Sequence, residues 1–117
     1  MAENILKSKS FEFAVRIVKL SKFLIEQHRE FVLSKQILRS ATAVGALIRE
    51  SEQAESKKDF IHKLSIALKE ANETEYWLEL LSATEYIVPK MFNSLVADCK
   101  ELLRLLTSII KTSKSRA

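Results

Sequence analysis

Apolar residues recur along this chain every three or four positions with little interruption, a spacing that predicts helices from end to end. Over roughly 8–28, Phe11, Val15, Val18 and Ile25 follow one helical face and Phe13, Ile17, Leu20 and Leu24 an adjacent one. Glu12, Arg16, Lys19 and Glu26 share the far side. After a polar turn at 27–31, with Ser34 as the expected N-cap, Ile37, Ala41, Val44 and Ile48 predict a second helix over roughly 34–53. Its middle is built of Ser40, Ala41, Ala43, Gly45 and Ala46. Glycine in a helix interior costs about 1 kcal/mol relative to alanine, so Gly45 predicts a tight helix crossing as compensation. Ser56, three residues ahead of Asp59, marks the start of a third helix over roughly 56–83 in an arrangement close to a capping box. Its seam of Phe60, Leu64, Ala67, Ala71, Thr74, Leu78 and Leu81 is an unbroken three-four repeat. Pro89 suits a first helical position and opens a fourth helix over roughly 89–112. There Phe92, Leu95, Cys99, Leu102, Leu106 and Ile109 form the core face, widened by Met91, Val96, Leu103 and Ile110. The basic tail beyond is expected to fray. The junction 51–55 holds neither Gly nor Pro, and the pattern leaves open whether it turns or continues the helix.

Four such helices with short links predict one all-α domain over residues 1–117, an antiparallel up-down-up-down four-helix bundle. Composition agrees, since one Gly and one Pro in 117 residues leave little for sheets and tight turns, while 47% hydrophobic residues suffice for a core. Every helix carries more apolar surface than a two-residue-per-turn seam requires, the first and fourth most of all, which predicts self-association into a homo-oligomer. No segment reads as a signal peptide or a membrane span, because Glu12, Arg16 and Lys19 interrupt the first apolar stretch. A cytoplasmic location is expected.

The formal charge of +4 is unevenly spread. Residues 1–49 carry nine basic and four acidic side chains, 50–85 four and nine, and 86–117 six and two. Basic outer segments around an acidic centre suit subunit pairing or a basic face for nucleic acid. Chemistry of other kinds finds little support. The lone Cys99 lies in an apolar helical pattern and reads as core. His28 and His62 fall on different helices without metal-ligand spacing, and one glycine cannot build a phosphate loop, so neither metal, cofactor nor enzymatic activity is expected. Glu70, Glu73 and Glu75 read as a solvated face, and Arg39, Glu50 and Glu73 as buried or interfacial ion pairs. Tyr76 and Trp77 stand among acidic neighbours, which favours packing or an interface over base stacking.

Two stretches carry a resemblance. Leu33-Ser34-Lys35-Gln36-Ile37-Leu38-Arg39-Ser40-Ala41 with Val44-Gly45-Ala46-Leu47-Ile48-Arg49-Glu50, and Lys58-Asp59-Phe60 with Leu64-Ser65-Ile66-Ala67-Leu68-Lys69-Glu70-Ala71-Asn72-Glu73-Thr74-Glu75-Tyr76-Trp77-Leu78, resemble the second and third helices of the 23S ribosomal RNA intervening-sequence protein family. Arg39 and Glu50 match the family's signature Arg and the Glu ending its second helix, and Glu73 an acidic position of its third. The chain departs from the pattern with Leu47 for Asn, Ser51 for the Gly of the turn, and Leu38 for the first Arg of a pair. The resemblance implies a homopentameric ring or barrel and an RNA- or DNA-binding role. One branch, the accessory proteins of diversity-generating retroelements, implies a reverse transcriptase as protein partner. Together with the charge pattern it gives the expected function, a non-enzymatic oligomer contacting phosphate through Arg16, Lys19 and Lys22 of the first helix, Lys100 and Arg104 of the fourth, and Lys111, Lys114 and Arg116 of the tail. The rival expectation is a protein–protein adaptor or structural oligomer without nucleic acid.

Overall fold

The structure, a computed structural model, describes residues 2–116. It contains four helices, α1 (Ala2–His28), α2 (Leu33–Ser51), α3 (Lys57–Ala83) and α4 (Pro89–Ser115). Each packs against its neighbours in sequence, α1 closes the ring against α4, and the backbones of the diagonal pairs stay apart. The result is an up-down-up-down bundle 49 × 21 × 19 Å in extent. Two ends follow from this topology. The connections after α1 and α3 lie at one, and the link between α2 and α3 at the other, beside the start of α1 and the end of α4.

The three-four seams fill the core, except that Phe60 of α3 and Phe92 of α4, expected there, are only half-buried against its edge. Phe13, Ile17, Leu20 and Leu24 of α1, Ile37, Ala41, Val44 and Ile48 of α2, Leu64, Ala67, Ala71, Leu78 and Leu81 of α3, and Leu95, Cys99, Leu102, Leu106 and Ile109 of α4 are all buried. Between α2 and α3 the small residues admit a polar contact, where the buried Ser40 and Thr74 hydroxyls meet at 2.8 Å. Thr74 also donates to the Glu70 carbonyl, so this hydroxyl is satisfied within its own helix.

Helix boundaries differ from the pattern where capping decides them. α1 begins at Ala2, because Leu6 is buried and continues its core seam. α4 continues to Ser115 rather than fraying at 112. The junction left open is a turn, and α2 stops at Ser51. Ser34 is not the N-cap of α2. It lies inside the helix and donates to the Glu30 carbonyl, while the Glu30 carboxylate accepts from the amides of Val32, Leu33 and Ser34 at 3.2, 3.0 and 2.8 Å. A carboxylate reaching forward thus does the work expected of the serine. Ser56 does cap α3, accepting from the Asp59 amide at 3.0 Å, and Asp59 reaches back to the Glu55 amide at 3.1 Å. Without glycine at the helix ends, Arg29 and Glu85 take the left-handed conformation, with φ of 54° and 66°.

Burial works against the ionised Glu30 carboxyl, but its three amide donors outweigh it and hold the group below its ordinary value of 4.5. The folded state therefore favours the charged form. This contribution is complete above the ordinary value and is lost as pH falls through the depressed one. Glu30→Gln should lower stability at neutral pH by about 1 kcal/mol. In thermal melts followed across pH, its gap to the parent should narrow as pH falls below the ordinary carboxylate value, where the parent's carboxyl takes up its proton and releases the amides.

Gly45 does not serve the tight crossing expected of it. A Cβ built there would lie 3.7 Å from the Ser10 carbonyl oxygen of α1, an ordinary contact. Gly45→Ala should accordingly stabilise the fold, by roughly 0.5–1 kcal/mol from helix propensity and reduced unfolded-state entropy. Calorimetry checks this, and a lower Tm would show that the α1–α2 crossing is tighter than the 3.7 Å separation implies.

Candidate nucleic-acid interface

α4 presents three faces, set by the helical period. Leu95, Cys99, Leu102, Leu106 and Ile109 point into the core. Toward α1, Asp98 pairs with Arg16 and Glu101 pairs with Lys9 at 3.2 Å. These are the only carboxylates of α4, and both are turned to the seam and neutralised there. The outer face reads Lys90, Asn93, Ala97, Lys100, Arg104, Thr107, Lys111 and Lys114, another three-four repeat, and every one of these side chains is exposed. Five cations and no carboxylate thus follow one line on α4. At 1.5 Å per residue, the 24 steps from Lys90 to Lys114 span about 36 Å, close to one turn of duplex DNA. One acidic neighbour intrudes from α3, Glu75, whose carboxylate stands 3.9 Å from the Lys100 ammonium while 57% of the Lys100 side chain remains exposed.

The eight cations expected to meet phosphate therefore separate. Lys100, Arg104, Lys111 and Lys114 share the α4 stripe, and Arg116 lies just past its end, exposed. Lys90 belongs with them and was missed, because its register was hidden behind the helix-opening Pro89; spacing the stripe backward from Lys100 through Ala97 and Asn93 would have found it. Lys19 and Lys22 are exposed on α1 toward the opposite end of the bundle. Arg16 is engaged. Its guanidinium holds Asp98 and donates to the Ser94 hydroxyl at 2.8 Å, which makes it a clamp between α1 and α4 rather than an open phosphate contact.

The expected Arg39, Glu50 and Glu73 cluster forms in part. Arg39 pairs with Glu73 and with Glu70, the latter at 3.3 Å, tying α2 to α3. Glu73 also accepts from the Trp77 indole N–H at 3.1 Å. That donor first, and Arg39 with it, hold the Glu73 carboxyl below its ordinary range, while Glu70 and then Glu73 push the Arg39 guanidinium up. Glu50 takes no part. It stands 11 residues along α2 from Arg39, roughly 16 Å away by helical rise, and makes no ion pair among the described residues. Glu70, Glu73 and Glu75 are thus bridging carboxylates, not the solvated face the sequence suggested.

Burial pushes the Cys99 thiol up to about 12, with Glu75 and Asp98 adding to the effect, and the group donates to the Ala71 carbonyl at 3.3 Å. It is a packing residue, uncharged at neutral pH. His28 closes α1 between the edges of Phe23 and Tyr86, and His62 stands in the second turn of α3 at the other end of the bundle. Among the described residues, no group of three or more His, Cys, Asp or Glu side chains could hold a metal ion, and no helix is long and apolar enough to cross a membrane.

The sequence model of one protein family, described as 23S rRNA-intervening sequence protein, matches residues 2–108, nearly the whole bundle. The chain belongs to this family. A solved relative agrees, a protein of unknown function from the S23 ribosomal protein family of Bacteroides thetaiotaomicron VPI-5482. It is 63% identical, covers 95% of this chain and 99% of its own, and superposes with a TM-score of 0.94. Among curated proteins, none matches significantly. Family membership places the Arg39 clamp and the α4 stripe on a shared scaffold, and the description of the solved relative gives no activity to carry across.

Proposed function

We propose that this member of the 23S rRNA-intervening sequence family is a non-enzymatic, homo-oligomeric bundle that binds structured nucleic acid, RNA or DNA, through the outer face of α4. The observation that carries the reading is the line of Lys90, Lys100, Arg104, Lys111 and Lys114, exposed and free of carboxylates on its own helix. Arg116 and, at the far end, Lys19 and Lys22 extend the basic surface. The stripe carries no aromatic side chain to stack on splayed bases, so it suits the phosphates of a duplex or hairpin. Five copies, as the resemblance implies, would array the stripe five times and raise avidity for a long or folded nucleic acid. A reverse transcriptase would be the protein partner if this chain serves as the retroelement accessory proteins do.

A protein adaptor or structural oligomer with no nucleic-acid role is the second reading, favoured by the exposed apolar outer face of α1. Salt separates the two. Fluorescence anisotropy of a labelled RNA hairpin and a matching DNA duplex should show micromolar or tighter binding at low salt. Five phosphate contacts would weaken it by about 500-fold between 50 and 200 mM salt. Absence of binding at low salt would sink the nucleic-acid reading and leave the adaptor.

A further inference from the structure

α1 and α4 meet less closely than any other neighbouring pair of helices, and a groove of about 290 Å³ opens between them. Leu20 of α1 and Leu95 of α4 are buried and form its floor, while the half-buried Phe23 and Met91 stand as its apolar walls. Arg16 and Lys19 complete the lining, which makes the groove apolar along its length and cationic at one end. No carboxylate lines it. The volume is near the lower limit of pockets that hold small organic ligands.

The two cations are held differently. Arg16 uses three of its five N–H donors on Asp98, the Ser94 hydroxyl and the Ser94 carbonyl, which leaves two and fixes the guanidinium in place. Lys19 is exposed and has no ion-pair partner among the described residues. A fixed guanidinium beside an unpaired ammonium suits one anionic head, with a charge-assisted hydrogen bond from each. Nearby acids compete little. Asp98 is already taken by Arg16, and Glu12 and Glu26 each lie seven residues from Lys19, about 10 Å along α1. From Arg16 to Phe23 is also seven residues, about 10 Å by helical rise, the length of an extended acyl chain of about eight carbons. The first turn of α4, which includes Met91, follows Val88 with no side-chain cap on its amides, and its positive end favours an anion nearby.

We propose that the α1–α4 groove binds a small amphipathic monoanion, a carboxylate with a short acyl or aryl tail. Its head sits on Arg16 and Lys19, and its tail lies between Phe23 and Met91 over Leu20 and Leu95. Lys100 and Arg104 of the α4 stripe face outward with no apolar walls beside them, so that surface meets charge alone, whereas the groove requires a charge joined to a tail. The groove does not depend on the nucleic-acid reading.

Met91 reports on the site, because the chain has only one other methionine, Met1. With isotope-labelled methionine methyl groups followed by NMR at neutral pH, octanoate should shift the Met91 resonance saturably in the millimolar range or below. Circular dichroism should show unchanged helix content. Octanol, which has the tail without the charge, and inorganic phosphate, which has the charge without the tail, should each bind at least about tenfold more weakly. Lys19→Gln should weaken octanoate about fivefold and leave octanol unchanged. A Met91 methyl that octanoate leaves unmoved would overturn the site, as would octanol binding as tightly as octanoate. Octanoate affinity untouched by Lys19→Gln would remove the anionic anchor and overturn it equally. A Met91 shift that follows protein concentration instead of octanoate would give the groove to a second copy of the chain, and a shift accompanied by loss of helix would be detergent action; both outcomes overturn the proposal.

Discussion

Phe13→Ala is expected to lower the unfolding free energy by about 3–5 kcal/mol. Phe13 is among the largest fully enclosed side chains, on the core face of α1, and its ring cannot be replaced by relaxation of four helices that already pack seam against seam. Against a total stability of roughly 5–15 kcal/mol for a domain, the loss is a large fraction. Urea denaturation should show a lower midpoint with an unchanged slope. Phe11→Ala is the matched control. Two residues away on the same helix, Phe11 is 57% exposed with the Arg49 guanidinium 5.7 Å from its ring centroid, so its removal should cost the protomer no more than about 1 kcal/mol. Equal losses at the two positions would mean that the faces of α1 are assigned the wrong way round.

Charge reversal on the α4 stripe should have the largest functional effect. K100E/R104E places two carboxylates at the centre of a line that otherwise has none, and should weaken nucleic-acid binding on the order of 100-fold at low salt while flattening the salt slope by about two. Both side chains are exposed, and the substitutions break only the loose approach of Glu75 to Lys100, so the Tm should move little. Arg16 gives the contrast. Because it clamps Asp98 and Ser94 across the α1–α4 seam, its replacement should act on stability before it acts on binding. A K100E/R104E variant that binds RNA and duplex DNA as the parent does would move the site away from α4.

The period of the apolar residues was enough to place four helices, their order and nearly all of the core, because burial in a bundle repeats with the helix itself. The start of α3 was legible at Ser56 and that of α4 at Pro89, since both signals act within one turn of chain. The cap of α2 was not. Glu30 precedes the helix by three residues, and only the folded turn brings its carboxylate onto three amides. Arg39 and Glu73 could be singled out as charges bordering apolar stripes, but that Glu70 joins them and Glu50 does not depends on which turns of α2 and α3 lie side by side.

The sequence by itself determined the fold class, the seams and the basic character of the ends, all of which are local or periodic properties. Only the tertiary structure decided how those charges are divided. It turned Arg16 inward onto Asp98, drew both acids of α4 to the α1 seam, and so left Lys90, Lys100, Arg104, Lys111 and Lys114 on an outer face to which α4 itself contributes no carboxylate. It also decided which of the two apolar faces of α1 belongs to the core, burying Phe13 and Ile17 and leaving Val15 and Val18 outside. Periodicity marks a face as apolar, whereas the rotation of each helix about its axis is set by packing against all its neighbours at once.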